Sequence, residues 1–309
     1  MPLFKKKESK LLQIKEKSNP LEKDIQEATE QNLNEIFGLD YVSSEFQLNG
    51  LRVDTLCFNK ESNSFVIIEY KKDRSFSVID QGFAYLSLML NHKADFLLEY
   101  NERNKNKSLN RGSVNWEQSR VIFISPSFTV HQRAAINFKN LPLELWEVHY
   151  YDGDLIEYEQ IEPFENSENI ETVTGGNKLI KEVTKSIKVY DLDLHLKRGS
   201  ENTRKLFQSL KEKIMDLGEI KENPKQLYVG YRISDSHINF VAVHFYKEKL
   251  ELTILIPDKN LEDPKKWTRK VPKSFGWAKN LKFFTMTSEK DIRYAMNLIE
   301  QSYEFNKSR

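Results

Sequence analysis

The sequence has little of several features that mark common protein classes. Cys57 is the only cysteine among 309 residues, which excludes an intrachain disulfide and a cysteine-rich zinc site. No apolar run approaches the ~20 residues of a membrane-spanning helix. The first ten residues, MPLFKKKESK, lack the apolar segment of a secretory signal. These absences predict a cytoplasmic protein with no membrane partner.

Net charge is also nearly absent, at +1, although 30% of the residues are charged. The mean hydropathy of −0.62 predicts a water-soluble chain, and a length of 309 residues predicts about two domains. A chain without net positive charge has no overall attraction to nucleic acid. Any such binding must therefore rely on local basic patches.

The most informative stretch is residues 51–71, LRVDTLCFNKESNSFVIIEYK, which predicts two strands joined by a polar loop. If the loop from Asn59 to Ser64 closes symmetrically, Asp54 faces Glu69 and Arg52 faces Lys71. The same register pairs Phe58 with Phe65 and Leu56 with Ile67. Because side chains alternate along a strand, these eight residues share one face.

Two facing carboxylates are costly for a sequence that only has to fold. Like charges on paired strands destabilise a sheet, and a buried, unpaired carboxylate either costs several kcal/mol or takes up a proton. A divalent cation between Asp54 and Glu69 removes the difficulty, because hard cations take oxygen ligands. Lys71 then places an amine beside the same site.

Asp54, Glu69 and Lys71 resemble the motif of the PD-(D/E)XK nuclease superfamily. In that family the Asp and Glu bind Mg²⁺ or Mn²⁺, and the Lys helps to position or activate the attacking water. The next predicted helix contains DQGFAYL, whose Gln81 and Tyr85 look like the extra motif of RecB-type members. A spacing of four places both side chains on one helix face. The resemblance implies that they line the substrate cleft.

The resemblance also implies further site residues. RecB-type members often add a glutamate from the preceding helix to the metal site, and the segment 22–32 resembles that helix. Its placement favours Glu22, with Glu27 and Glu30 as competitors and a solvated glutamate as the plain alternative for each. The basic residues near the motif are candidate nucleic-acid contacts: Arg52, Lys72 and Arg74.

The order of predicted elements matches the αβββαβ core of the superfamily. Helical periodicity over Leu21–Phe37 precedes three strands, a helix capped by Ser75 or Ser77, a strand at Val121–Ile124, a helix from about Thr129 and a strand at Leu143–Tyr151. Strands that alternate with helices indicate a sheet covered on both faces. We therefore predict an α/β, restriction-endonuclease-like core with a mixed sheet.

Composition divides the chain into four predicted segments. They are a basic N-terminal arm (1–19), the nuclease-like domain (20–155), an acidic linker (156–189) and a smaller α+β domain (190–309). The plain interpretation of the arm is a flexible tail, and the alternative is a phosphate-contacting arm. The last segment resembles a domain of uncharacterised function that follows such nuclease domains in proteins sometimes labelled predicted transport protein.

The C-terminal segment shows no clustered catalytic residues. Its basic and aromatic run, Lys265–Lys282, includes Trp267 and Trp277. Aromatic rings stack on bases while Lys and Arg contact phosphate, so the run is a candidate nucleic-acid contact. The alternative is that its tryptophans anchor the loop to the core.

The leading functional prediction is a Mg²⁺- or Mn²⁺-dependent nuclease that hydrolyses phosphodiester bonds, with DNA favoured, in repair or in defence against foreign DNA. One alternative is a catalytically inactive, nuclease-like module that binds nucleic acid or a protein partner. The other is a protein-interaction adaptor in which the charged pair is incidental. The sequence leaves open the number of metal ions, the preferred substrate structure and whether the chain forms homo-oligomers.

Overall fold

The computed structural model divides the chain into two compact units, Met1–Val189 and Tyr190–Arg309. It describes residues 2–17, 20–72, 77–105, 108–138, 141–164, 167–168, 178–188, 190–234, 236–271 and 281–308. No helix within these ranges is both long enough and apolar enough to cross a membrane.

The first unit is built on a mixed sheet. Its strands are β1 (Leu3–Lys7), β2 (Lys10–Ile14), β3 (Asp40–Leu48), β4 (Leu51–Asn59), β5 (Ser64–Tyr70), β6 (Arg120–Ser125), β7 (Leu143–Tyr151) and β8 (Leu155–Ile161). Its helices are α1 (Glu22–Gln31), α2 (Leu33–Phe37), α3 (Val78–Asn91), α4 (Lys93–Arg103), α5 (Val130–Ala135) and α6 (Lys178–Ser186). Within the described ranges, β3 to β8 form one sheet in chain order. β5, β6 and β7 are parallel, and the other neighbours are antiparallel.

Helices cover both faces of this sheet. On one face, Leu56 and Phe65 belong to a core that includes Phe83 of α3 and Phe96 of α4. On the other face, the core contains residues of the sheet together with helices α1 and α2. β5 is buried along its whole length, as expected for an apolar strand between two neighbours and two helical layers. The predicted α/β class and element order are confirmed.

The predicted register of β4 and β5 is confirmed where the two strands pair. Leu56 lies opposite Ile67, and Phe58 lies opposite Phe65. The pairing ends at Thr55 and Ile68. Beyond that point β5 continues to pair with β6 through Glu69 and Tyr70. The predicted pairs, Asp54 with Glu69 and Arg52 with Lys71, are therefore not partners in the ladder.

Two predicted segments have a different structure. The predicted arm contains an antiparallel hairpin, β1 and β2, and the predicted linker begins with β8, which pairs along β7. The side chains of β1 and β2 are almost all exposed, and those of β8 are exposed or partly buried. Neither segment therefore shows the apolar alternation that marks a strand with a buried face.

The second unit is an α+β unit with an antiparallel sheet. Its strands are β9 (Ile220–Pro224), β10 (Val229–Ile233), β11 (Asn239–Tyr246), β12 (Lys249–Ile254), β13 (Arg269–Lys270) and β14 (Lys282–Met286). Within the described ranges their order is β13-β14-β12-β11-β10-β9. Its helices are α7 (Leu192–Leu196), α8 (Glu201–Met215) and α9 (Ile292–Lys307). Residues of α8 and α9 share a core with the sheet.

The polar side of β12 differs from the expectation. Alternation along this strand predicts one buried face, yet Glu251 and Thr253 are also buried. Arg269 forms an ion pair with Glu251, and His244 lies 2.9 Å from the Thr253 hydroxyl. Burial of these groups is possible because each has a partner, and sequence alternation does not reveal such partners.

Candidate active site

Asp54 lies where β4 stops pairing with β5. Its carboxylate replaces the missing ladder bond, because the Tyr70 N–H donates to Asp54 Oδ2 at 3.0 Å. Burial, together with the negative charge of Glu69, raises the pKa of Asp54 to about 7. The two carboxylates therefore interact electrostatically, as the sequence predicts for Asp54 and Glu69.

Glu69 is almost completely buried near the end of β5, at 2% exposure. Its Oε1 accepts hydrogen bonds from Lys71 Nζ at 2.7 Å and from Gln81 Nε2 at 2.6 Å. Its Oε2 is buried and has no hydrogen-bond partner among the described residues. A buried carboxylate oxygen without a partner is costly, and this atom is available as a ligand for a cation.

Gln81 and Tyr85 connect α3 to the two strands. Gln81 Nε2 lies 3.0 Å from the Tyr85 hydroxyl, which donates to the Arg52 carbonyl at 2.8 Å. Burial and the charge of Glu69 raise the pKa of Tyr85, which keeps the phenol protonated and able to donate. α3 approaches the sheet closely at Gly82, where an added Cβ would lie 2.5 Å from a Leu143 methyl.

Three further predicted residues, Glu22, Arg52 and Lys72, lie near the end of β5. Glu22 Oε1 accepts the Lys72 N–H at 2.6 Å. Arg52 Nε lies 3.0 Å from Glu45 Oε2 on the neighbouring strand. Arg74 lies outside the described residues. The structure therefore brings Asp54, Glu69, Lys71, Gln81 and Tyr85 together, and places Glu22 and Lys72 at the chain segment that follows.

The two competitors of Glu22 lie elsewhere on α1. Glu30 accepts a hydrogen bond from the Thr55 hydroxyl at 2.6 Å, and Glu27 forms an exposed ion pair with Lys23. The separation follows from helical geometry, since residues three or more positions apart are displaced along the helix axis.

Glu45 is a site neighbour that the sequence did not single out as functional. On β3, Ser44 pairs with Thr55 and Phe46 pairs with Val53, which places Glu45 across from Asp54. Its charge also raises the pKa of Asp54. The signal available in the sequence was a glutamate in the middle of a strand, but its register against Asp54 depends on a bulge near Val42 that sequence reasoning does not locate.

A second polar cluster lies on β7 and β8. Glu147, His149 and Glu159 each bring one potential ligand atom within 4.8 Å of the others. Glu147 is already bound by Arg133 at 2.6 Å and by the Phe128 N–H at 2.9 Å. These bonds offset the charge of the buried carboxylate, so we assign the cluster to an ion-pair network.

Two basic residues of the basic and aromatic run form ion pairs within the second unit. Lys282 forms an ion pair with Asp258 at 3.1 Å, and Arg269 is bound to Glu251. Trp267 packs on Tyr294 with ring centroids 4.9 Å apart. These contacts favour the anchoring interpretation for Trp267, while Trp277 lies outside the described residues.

The donor set at the candidate active site fits a hard divalent cation. Asp54 and Glu69 offer oxygen atoms, and Glu69 Oε2 has no other partner among the described residues. Neither Asp54 nor Glu69 belongs to a group of three or more carboxylates, histidines or cysteines whose ligand atoms lie within 4.8 Å of one another in the described ranges. One or two carboxylates, completed by water and substrate phosphate, are the usual ligands of Mg²⁺ in phosphoryl-transfer sites.

Comparison with known proteins identifies one relative along almost the full length. An uncharacterised protein of Haemophilus influenzae is 38% identical over 303 residues, which cover 98% of this chain and 99% of that protein. The chain belongs to the same family. Residues 193–306 also match the model of a domain of unknown function, DUF5655. The second unit therefore carries that domain.

A solved structure gives a weaker match. A chain titled "Structure of EndoMS-dsDNA2 complex" is similar over 48% of this chain, at 14% identity and a TM-score of 0.24. The match covers 64% of that chain, less than two thirds of its length. A likeness of this size supports no conclusion about this protein.

Proposed function

We propose that this protein is a Mg²⁺- or Mn²⁺-dependent nuclease of the PD-(D/E)XK type that hydrolyses phosphodiester bonds in DNA. The observation that carries the proposal is the unpartnered, buried Oε2 of Glu69 beside a second carboxylate, Asp54, whose pKa is raised by burial and by Glu69. A folded protein keeps two such acids together at a cost, and a bound cation offsets that cost.

Each residue of the site has a distinct part in this proposal. Asp54 and Glu69 hold the metal, which when bound polarises the phosphate and lowers the pKa of water. The Lys71 ammonium is held by Glu69 at 2.7 Å and is placed to orient the attacking water or to offset charge on the phosphate. Gln81 fixes the Glu69 carboxylate through its 2.6 Å bond, and Tyr85 fixes Gln81.

The basic residues and Glu22 have supporting parts. Lys72 and Arg74 follow the site along the chain and are proposed to contact the nucleic-acid backbone. Arg52 is paired with Glu45, so its contact with phosphate requires that pair to open. Glu22 holds the Lys72 backbone and thereby positions the end of β5; its predicted role as a metal ligand stays a proposal.

The test is a cleavage assay on the full chain with plasmid, linear duplex, single-stranded DNA and RNA, with Mg²⁺, Mn²⁺ or EDTA. Wild type should cut DNA only with metal. Asp54→Asn and Glu69→Gln should each reduce the rate by about 100-fold or more, the usual cost of losing an electrostatic catalytic group. The matched control is Glu27→Gln, which removes an exposed carboxylate of α1 and should cut like wild type.

The outcomes separate the functional classes. Metal-dependent cleavage that survives both site substitutions would reject this site. Metal-dependent stabilisation and DNA binding without cleavage would identify a recognition module in place of an enzyme. If metal changes neither the melting temperature nor the activity of wild type, the donor set does not bind a cation, and the proposal fails.

A further inference from the structure

The hairpin formed by β1 and β2 carries an unusual concentration of positive charge. Lys5, Lys7 and Lys10 lie on one face, because Lys5 pairs with Leu12 and Lys7 pairs directly with Lys10. All three side chains are exposed, and none forms an ion pair with a residue that the structure describes. We refer to this face as the lysine ribbon.

The lysine ribbon is an unfavourable arrangement for the isolated chain. Like charges directly opposite each other on antiparallel strands destabilise the pair, and Lys7 and Lys10 are such a pair. A two-stranded hairpin without a further packing layer is itself marginally stable in water. β1 and β2 form a separate two-stranded sheet among the described residues. A polyanion laid along this face would remove the repulsion.

The ribbon is attached to the main sheet at the end of β7. Residues that follow β2 run along the end of β7: the Asp152 N–H donates to the Lys15 carbonyl at 2.9 Å, and the Lys17 N–H donates to the Tyr150 carbonyl at 2.7 Å. β6 pairs with β7 only as far as Ser125 and Glu147, so this segment occupies the place beyond β6. The ribbon is therefore attached at the edge where the parallel strands end.

Chain length limits how far this attachment lies from the site. Glu22 contacts the Lys72 backbone directly and follows Lys17 by only five residues. Five residues span at most about 18 Å. The attachment of the hairpin at Lys17 therefore lies within about 18 Å of Glu22.

We propose that the lysine ribbon binds the phosphate backbone of the DNA whose cleavage we propose above. The choice of DNA as the polyanion rests on that proposed function. Each phosphate contact contributes a slope of about −0.9 to log K against log salt. At about 0.1 M salt each contact therefore raises the affinity about 8-fold relative to 1 M salt. The contacts are independent of sequence, because they involve the backbone alone.

The experiment measures binding separately from cleavage. A labelled DNA duplex is titrated with the full chain in EDTA at several salt concentrations, and anisotropy gives Kd and its salt slope. The triple variant Lys5→Ala, Lys7→Ala, Lys10→Ala should bind at least about 60-fold more weakly at about 0.1 M salt, if two of the three lysines make contacts, and its slope should be smaller by about 2 to 3.

The matched control removes the same charge elsewhere. Lys181, Lys185 and Lys290 are exposed, and their joint replacement by Ala should leave Kd and slope close to those of wild type. The ribbon variant should melt at the wild-type temperature or above it, because its lysines contribute repulsion and no core contact. This measurement shows that a loss of affinity does not come from unfolding.

Several results would overturn the proposal. They are an unchanged Kd and slope in the ribbon variant, an equal loss in the control variant, or no DNA binding by wild type. A change of oligomeric state in sedimentation with unchanged DNA affinity would assign the ribbon to contact between two copies, and would also overturn it. Ribbon-dependent binding without any cleavage would instead leave this inference supported and refute the proposed nuclease.

Discussion

At the scale of single residues, the site is defined by how few partners its acids have. Asp54 accepts one backbone N–H, and Glu69 directs one oxygen to Lys71 and Gln81 and leaves the other without a described partner. Both groups would be better satisfied by a cation than by each other. The cost of their proximity is therefore measurable in the metal-free protein.

Replacing Asp54 by Asn should make the stability of the metal-free protein less sensitive to pH. The folded pKa of Asp54 is about 7, above its ordinary value of 3.8, so the folded state holds a proton that the unfolded state releases between these values. Stability consequently falls as the pH rises from about 4 through about 7. The amide carries no charge, and its oxygen still accepts the Tyr70 N–H. Melting in EDTA should therefore favour Asp54→Asn over wild type at about pH 8 more than at about pH 5.

Asp152→Asn is the control for this comparison, since Asp152 is exposed and its replacement should shift melting little at either pH. Parallel melting curves of wild type and Asp54→Asn against pH would show that the Asp54 carboxylate is not under strain in the folded chain. Addition of Mg²⁺ should stabilise wild type and have little effect on Asp54→Asn, because the variant lacks one of the two proposed ligands.

At the scale of elements, the position of α3 decides whether Gln81 reaches Glu69. The helix is preceded by its N-cap, Ser77, whose hydroxyl accepts the Asp80 N–H at 3.3 Å. Ser77→Ala should lower the free energy of unfolding by about 1 kcal/mol, the usual value of a helix N-cap. Urea unfolding measures the loss. Ser77→Asp should recover most of it, because aspartate caps as well as serine, and equal losses in both variants would show that the hydroxyl does not cap the helix.

The sequence predicted the elements that have a repeating apolar pattern. The register of β4 and β5 followed from the polar loop between Asn59 and Ser64. A cap at Ser75 or Ser77 followed from their place before an apolar helix, and the structure shows that Ser77 is the cap. The hairpin of β1 and β2 and the strand β8 were missed because their pairing is made by the backbone, while their side chains largely face water. Pairing made by the backbone alone is not visible in the pattern of polar and apolar side chains.

The residues of the site also divide into those that the sequence predicted and those whose contacts it did not predict. Strand alternation predicted that Asp54, Glu69 and Lys71 share one face. Gln81 and Tyr85 were added by the resemblance to the RecB-type motif, and their spacing of four places them on one helix face. The pairing of Arg52 with Glu45 depends on the register of a third strand with a bulge. The bond from Glu22 to the Lys72 backbone joins residues 50 positions apart, and no local pattern specifies its geometry.

At the scale of the whole molecule, the two units differ in what they contain. The candidate active site and the lysine ribbon belong to residues 1–189, whereas the second unit has its own core, built from α8, α9 and its sheet. The second unit buries a charged residue, Glu251, but this carboxylate is bound by Arg269 and Lys249. The Glu251 carboxylate therefore has two cationic partners, whereas Glu69 Oε2 has no partner among the described residues.

This difference predicts that metal stabilises one unit alone. Residues 1–189 and 190–309, expressed separately, should each unfold cooperatively, because each has its own apolar core. Mg²⁺ or Mn²⁺ at about 100 times Kd should stabilise the first unit by about 2.7 kcal/mol, which raises the melting temperature of a unit of this size by about 5–10 °C. The second unit should melt at the same temperature with and without metal, since its buried carboxylate already has cationic partners.

Calorimetry of the two pieces measures both shifts, with Glu69→Gln in the first piece as the control that removes the response. A metal shift in residues 190–309, or its persistence in Glu69→Gln, would place the cation elsewhere than at Asp54 and Glu69.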